Sequence, residues 1–570
     1  MLSNTSRSTL VFLAFLFFIS FDFNSLYASG IDGDTLLFNK PLETREGEYI
    51  PVSVDGMPKS PGYYAEGSNF FTTQVNVTAE GENIVGDAAN EPSIAIDPTN
   101  PDKMVIGWRQ FNTVSSSFRQ AGYAYTLDGG ETWTFPGVIN PGVFRSDPVL
   151  AADADGNIFY NSLTVSGSNF YCDVYKMDVG TTDWSDSTYA LGGDKQWMTI
   201  DQNEGTGQGN IYAFWTSSYS ICYPDFFTRS TDGGDSYEDC VSIPGEPQWG
   251  TLVTASDGTL YVAGLSYYGF IVSRSTTAQN GDWPVTWDPY TVVDLDGTTS
   301  VGVGPNPEGL LGQTWIGVDN SDGPYSGYVY VLCSVERESN YDPSDVMFAR
   351  STDGGLTWDD PVRVNQDLSI SNWQWFGTMS VSPDGRIDVV WLDTRDNPGT
   401  YLSSLYYSYS IDGGETFSEN EKVSESFDPH LGWPQQDKMG DYFHMISDMD
   451  YAHLAWANTL NGEQDVYYTR VNPWFVGVNE NKMGSRLPVT IYPNPAKNEI
   501  KVKYQIEKTE DVEIRLFNVL GKEVYSRLEK NLKTKQQHLS INTSFLREGI
   551  YFLHISSGNR SSVTKVVLAK

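Results

Sequence analysis

Histidine is nearly absent from this chain, with 5 in 570 residues, and cysteine is rarer still at 4. No Cys-x-x-Cys pair occurs and the histidines do not fall at zinc-ligand spacing, so the sequence predicts no metal centre, no dithiol redox site and no cofactor. Basic residues are scarce too: 36 Lys and Arg stand against 73 Asp and Glu, a formal charge of −37. A nucleic-acid groove needs a basic stripe, so no nucleic-acid partner is expected. Long apolar runs are missing except for Leu10 to Ile19, well short of the roughly 20 residues that span a bilayer. No transmembrane segment is therefore expected in the mature chain.

What is present starts with that short run. Arg7 precedes it and Ala28, Ser29 and Gly30 follow, the layout of a cleaved signal peptide over residues 1–30. Residues 31–69, rich in Gly, Pro and acids without sustained periodicity, read as a loosely ordered leader. In an exported protein Cys172, Cys222, Cys240 and Cys333 are free to form disulfides, and all three pairings of four cysteines stay open. Charge divides unevenly: residues 486–570 carry 15 Lys and Arg against 8 Asp and Glu, which leaves −44 on everything before them.

Four near-copies of one string punctuate the acidic body: Thr126-Leu-Asp128-Gly-Gly130-Glu-Thr132-Trp133, Ser230-Thr-Asp232-Gly-Gly234-Asp-Ser236-Tyr237, Ser351-Thr-Asp353-Gly-Gly355-Leu-Thr357-Trp358 and Ser410-Ile-Asp412-Gly-Gly414-Glu-Thr416-Phe417. Such a string predicts a hairpin turn: Asp accepts backbone N–H groups, Gly takes positive φ, and the aromatic ring covers the turn. Decayed copies stand in the gaps, Asp178-Val-Gly180-Thr-Thr182-Asp-Trp184 and Ser275 to Gly281. Strand–turn–strand units begin near Glu91, Ser146, Lys195, Pro247, Gln313, Trp373 and Asp437, at spacings of roughly 50 to 65 residues that suit four-stranded blades. Seven blades are favoured, with six or eight open, and Phe70-Phe-Thr-Thr-Gln-Val is the segment available to close a ring. Asp153-Ala-Asp155-Gly-Asn reads as a turn, since it lacks a Glu at the twelfth position of a calcium loop.

These strings resemble the Asp-box (BNR repeat) of sialidase-like β-propellers, which implies an all-β fold in which the boxes are structural. The tail carries a second resemblance. Val489-Thr-Ile-Tyr-Pro493-Asn-Pro495, Val512-Glu-Ile-Arg-Leu-Phe-Asn-Val-Leu-Gly521-Lys522 and Leu546-Arg-Glu-Gly549-Ile-Tyr551 are similar to the type A C-terminal sorting domain of the Bacteroidetes type IX secretion system. That resemblance implies a small antiparallel β-sandwich read by the outer-membrane translocon, and a protein that is secreted or attached to the cell surface. The expected organisation is thus a leader, a propeller over 70–478, a linker over 479–487 and a sorting domain over 488–570.

Antiparallel alternation puts the starts of first strands and the ends of second strands on one rim, opposite the boxes, and propellers bind ligands on such a rim. Arg109, Gln110, Arg145, Asp194, Lys195, Trp197, Trp249, Tyr267, Tyr268, Trp315, Glu336, Arg337, Trp375, Asp393, Arg395, Asp396, Asp437, Lys438, Asp441 and Tyr442 fall there. Aromatic faces with charged groups between them suit a sugar, so an extracellular glycan or polymer is the expected partner. The sialidase resemblance implies three arginines around a sugar carboxylate, a Glu-activated Tyr nucleophile and an Asp acid/base. The first arginine's Arg-Ile-Pro motif is missing, because Asn90-Glu91-Pro92-Ser93 stands in its place. A displaced set, Arg109, Arg337 and Arg395 with Glu336 and Tyr442, remains to be placed. Classical sialidase chemistry is not expected; a glycoside hydrolase using Asp393, Asp396 or Asp441, and an adhesin or scaffold, are the alternatives.

Overall fold

The computed structural model describes residues 47–473 except 168 and 219, and residues 489–569 except 507–508, 519–521, 534 and 558–559. The signal segment, residues 31–46 of the leader, the 479–487 linker and Gly521 of the tail motif lie outside the described residues. Two compact units divide the chain, Met1–Pro473 and Trp474–Lys570. Among the described residues the one helical turn is Val54–Gly56, and no helix is long and apolar enough to cross a membrane.

Seven antiparallel sheets build the first unit. Their innermost strands are Ala88–Ile96, Ser146–Ala152, Trp197–Ile200, Leu252–Thr254, Trp315–Val318, Gln374–Val381 and His444–Ser447. Each packs on the next, and the seventh packs back on the first, so the sheets are blades of a closed ring. The body is a seven-bladed β-propeller. Second strands lie between neighbouring blades and are covered on both faces, which is why Met104–Phe111 and Ile387–Asp393 read as near-continuous apolar runs and are buried at every position.

The ring is closed by its N-terminal segment. His444–Ser447, Ala452–Asn458 and Asp465–Val471 give three strands of the seventh blade, and Phe70–Gln74 pairs antiparallel with Asp465–Val471 as the fourth. Thr72 and Thr469 hydroxyls meet at 2.8 Å across that seam, 397 residues apart in the chain. Two further short strands correct the loosely ordered leader: Tyr64–Glu66 pairs with Phe70–Gln74, and Lys59–Pro61 with Glu82–Ile84. Alternation over three residues is too short to stand out from a Gly- and Pro-rich background.

All four Asp-Gly-Gly strings form the same hairpin. Asp353 accepts the Thr357 N–H at 2.9 Å and its hydroxyl at 2.7 Å, while the Ser351 hydroxyl accepts the Gly355 N–H at 2.8 Å; Asp128, Asp232 and Asp412 repeat the pattern. Burial pulls the Asp353 carboxyl upward, but hydrogen bonds from Thr357 and Ser351 outweigh it and bring it down to about 2. The turns also fasten neighbouring blades. Trp133 of blade one packs on Tyr468 of blade seven at 5.3 Å, and Phe417 of blade six on Phe348 of blade five at 5.1 Å. A Cβ on Gly130 or Gly414 would fall 2.3 or 2.4 Å from those neighbouring rings, so glycine is required by contact as well as by φ. An arginine on the preceding blade then donates to a turn carbonyl: Arg470 to Gly129, Arg229 to Ala278 and Asn280, Arg274 to Gly354, and Arg350 to Gly413.

Cys222 and Cys240 form a disulfide within blade three, whereas Cys172 and Cys333 are buried free thiols. Asp153 receives the N–H groups of Asp155 and Asn157, which makes 153–157 a turn. In the second unit Val489–Tyr492, Glu499–Ile506 and Lys535–Asn542 form one sheet, and Glu510–Asn518, Glu523–Leu532, Gly549–Ser557 and Arg560–Leu568 the other. Ile500, Val502, Ile514, Leu516, Leu553 and Val566 form the shared core of this sandwich.

Candidate functional site

The start of the innermost strands carries a repeated irregularity. Glu91, Asp147, Lys195, Trp249 and Phe376 all have φ between 43° and 57°, and Gly440 stands at the corresponding place in blade seven with φ 101°. The strand register slips there, between Asn90 and Ser93 in blade one and between Trp375 and Thr378 in blade six. A bulge of this kind re-aims a side chain, here toward the ring axis.

On the axis the re-aimed groups form a sealed ionic cluster. Lys195 Nζ lies 2.8 Å from Asp441, 3.1 Å from Asp147 and 3.5 Å from Asp194; Lys438 Nζ lies 2.7 Å from Asp441 and 3.3 Å from Glu91; Arg109 Nε lies 3.2 Å from Glu91. Every one of these side chains is buried. Arg119, also buried, faces Asp147, Asp194 and Asp441, so four cations balance four carboxylates. Burial pushes the Glu91 carboxyl up to about 7 against the pull of Arg109 and Lys438. Burial is overridden at Asp441, which Lys195 and Lys438 hold well below the carboxylate range.

Two elements close the cluster off. An inserted hairpin, Val301–Val303 with Asn306–Leu310, lies over it: Leu310 N–H donates to Asp441 at 2.9 Å, Met439 N–H to the Asn306 side chain, and the Asn306 amide to the Gly440 carbonyl. Next to it, Trp197 meets Trp315, Tyr442 and His444 edge-on at 5.2 to 5.3 Å. Burial lowers His444 to about 3, so it is neutral, and its Nδ1 pairs with the Ser93 hydroxyl.

This geometry corrects several expectations. Trp197, Trp249, Trp315 and Trp375 are buried instead of lining an open rim, because innermost strands converge and their rings meet one another before they meet solvent. Tyr442 donates its hydroxyl to the Pro148 carbonyl at 2.8 Å, the carboxylates facing it are Glu91 and Asp147, and burial raises it well above the usual phenol range. Glu336 is exposed and accepts from Ser300. Arg109, Arg337 and Arg395 share no carboxylate partner: each is held by its own acids. Arg145 pairs with Asp173 inside blade two, and Gln110 bridges the Trp108 indole and Asp87. Asp437 is exposed; its N–H donates to the Glu308 carboxylate of the hairpin, and its carbonyl accepts the Glu308 N–H. Among the described residues no group of three or more His, Cys, Asp or Glu is placed to hold a metal ion.

A second ionic network reaches solvent between blades five and six. Arg337 binds Asp345 at 2.7 Å; the Asn365 amide joins Asp345 to Asp367; Arg395 lies 3.8 Å from Asp367 and 2.6 Å from Asp393, with its guanidinium 4.4 Å over the Tyr406 ring; Tyr406 donates to Asp396, which Lys422 also binds. Sequence reasoning found Arg337, Asp393, Arg395 and Asp396 and missed Asp345, Asn365, Asp367 and Tyr406. Asp342, at the edge of this network, is buried with one carboxylate oxygen unpartnered. Burial, then the nearby Asp345 charge, raises it to about 7. A carboxyl raised in the fold favours the protonated native state, so its stability contribution is lost as pH rises from about 4 through 7. Asp342→Asn is therefore expected to be more stable than the parent at pH 8, the gap closing by pH 4; urea midpoints at the two pH values check this, and a variant that loses stability at pH 8 would contradict the assignment.

Residues 490–569 match the secretion system C-terminal sorting domain. The tail is a sorting domain of the type IX system. It marks the chain as secreted or surface-attached and implies contact with the type IX machinery. No curated protein matches the sequence. Solved structures similar in fold include a protein of unknown function from Dyadobacter fermentans (14% identity, TM-score 0.39, covering 70% of this chain and 99% of that one), the endosialidase of phage phi92 (10%, 0.40, 88% and 87%) and the Trypanosoma rangeli sialidase (10%, 0.33, 88% and 89%).

Proposed function

We propose that this exported propeller is a glycan-binding protein that engages its ligand on the loop rim of the ring and is not an exo-sialidase. The observation that carries the reading is the state of the axis. The place where a propeller would hold a small sugar is filled by a charge-balanced cluster, capped by a hairpin and backed by packed aromatic rings. What reaches solvent on the same rim is the edge of the second network, half-buried Arg337, Asp367 and Arg395 held by the buried Asp345 and Tyr406, with Tyr341, Leu368 and Tyr401 exposed on the nearby loops. Fixed donors and acceptors beside ring faces are what a sugar's hydroxyls and CH groups require.

A glycan array probed with the full secreted chain tests the reading, run beside a fluorogenic sialoside and a mixed-polysaccharide hydrolysis screen. Binding without turnover is expected, and Arg395→Ala should weaken it severalfold. Sialoside turnover would overturn the proposal; hydrolysis of another glycan would replace it with a glycoside hydrolase, and silence throughout with a scaffold for protein contacts.

A further inference from the structure

Nine tyrosines are among the exposed large side chains of the described residues, and five of them sit on equivalent loops. Tyr223 lies between the second and third strands of blade three, Tyr267 and Tyr268 in the tight turn of blade four, Tyr341 in blade five and Tyr401 in blade six. The registers put these loops at one end of the ring: Phe214 faces Phe227, Ser266 faces Gly269, Val335 faces Asp345 and Asp393 faces Ser404. Gln374, at the start of an innermost strand, faces Asp393, so this is the rim on which the innermost strands begin. Four consecutive blades thus present at least one exposed ring in the same position.

These rings are displayed at a cost to local packing and conformation. Tyr341 is 86% exposed, and its φ of 60° is a left-handed conformation that an aromatic residue rarely adopts. Tyr223 is 72% exposed on the loop anchored by the Cys222–Cys240 disulfide. Tyr267 meets Tyr268 edge-on at 5.5 Å, and Tyr268 stacks on Tyr290 at 5.6 Å, which holds an exposed pair upright. A single exposed ring is ordinary; recurrence at the equivalent loop of four consecutive blades is what sets these apart.

The geometry points to an extended, uncharged polysaccharide strand as the occupant, lying along the rim from blade three to blade six. This inference rests on the glycan reading above. A protein partner would call for one contiguous apolar patch with a desolvated centre, whereas these rings stand one or two to a loop on separate loops, with acids such as Asp225 and Glu338 between them. Rings in file suit a chain of sugar units, each offering an apolar face to stack, and successive weak contacts combine because they are joined. Charge sets the class: the region before residue 486 carries −44, which repels polysialic acid and polyuronates and leaves neutral polymers unhindered.

The test measures binding of the full chain to soluble neutral polysaccharides (laminarin, xyloglucan, galactomannan) and anionic ones (polysialic acid, polygalacturonate), then to oligosaccharides of two to eight units from the best neutral polymer. Tyr223→Ala, Tyr268→Ala, Tyr341→Ala and Tyr401→Ala are compared singly and together, with thermal melts to confirm that these surface changes leave the fold intact. Each single change is expected to weaken neutral-polymer binding by about threefold to tenfold, the losses accumulating in the combined variant, and affinity should climb with oligosaccharide length. Neutral-glycan binding that ignores all four tyrosines, or that is as tight for a disaccharide as for the polymer, would overturn the track while leaving the glycan reading standing. Preference for the anionic polymers would overturn the assigned class. No binding to any glycan would remove both readings together.

Discussion

Lys195→Ala should destabilise the propeller by about 3–5 kcal/mol, the largest effect expected of any single substitution outside the apolar core. Lys195 sits among Asp147, Asp194 and Asp441, and all four are buried. Removing the ammonium strands three carboxylates in a low-dielectric interior with Lys438, Arg109 and Arg119 left to offset them. Attraction within the intact cluster has to outweigh the desolvation of every member, so the intact cluster adds modestly to stability while breaking it is expensive. Urea unfolding of the parent and the variant measures the difference. A loss under about 1 kcal/mol, the range of a solvent-exposed ion pair, would show that water reaches the axis and that it is an open pocket after all.

A chain truncated to begin at Val77 should fail to form a cooperative ring. It lacks the outer strands Phe70–Gln74 and Tyr64–Glu66, so Asp465–Val471 is left as an unpaired edge. It also loses Phe71, which packs on Tyr468 and under the Arg470 guanidinium, and Val75, which is wholly buried. Aggregation or a broad, multistate thermal transition is the expected outcome, and adding a synthetic peptide of residues 59–76 should restore a single transition. A truncated chain that melts as sharply as the parent would mean that the blades close on each other without the added strand.

Much of the ring was legible because hairpins demand particular residues at fixed offsets. The Asp, the two glycines and the aromatic each have a separate physical task, and the repeated strings exposed the blade period. The residues that fasten one blade to the next were equally visible and went unread: Arg229, Arg274 and Arg350 each stand directly before the Ser that opens a hairpin. The axis was only half legible. Arg109, Asp194, Lys195, Lys438 and Asp441 were singled out, yet as an open surface, since polar residues at a strand start look the same whether they face water or one another. Glu91 and Asp147 carry one signal in the sequence, a proline directly after each at the start of an innermost strand, Glu91-Pro92 and Asp147-Pro148. Periodicity cannot show that a bulge turns such a side chain inward. Rim tryptophans suffered the reverse error: a ring at a strand start reads as a sugar platform or as core, and convergence of seven strands decides for core.

The seam that closes the ring also fixes an order of events. The strand Phe70–Gln74 is made before any blade, and its partner Asp465–Val471 after all the others. Contacts this distant in sequence are slow to form, and blades made in the meantime keep one another company as an open arc with two free ends. The ring can be sealed only once almost the whole body exists, by which time the sorting domain, matched from residue 490, is next to emerge. Chain order therefore sets the earliest moment at which the ring can close, and that moment comes just before the sorting domain is made.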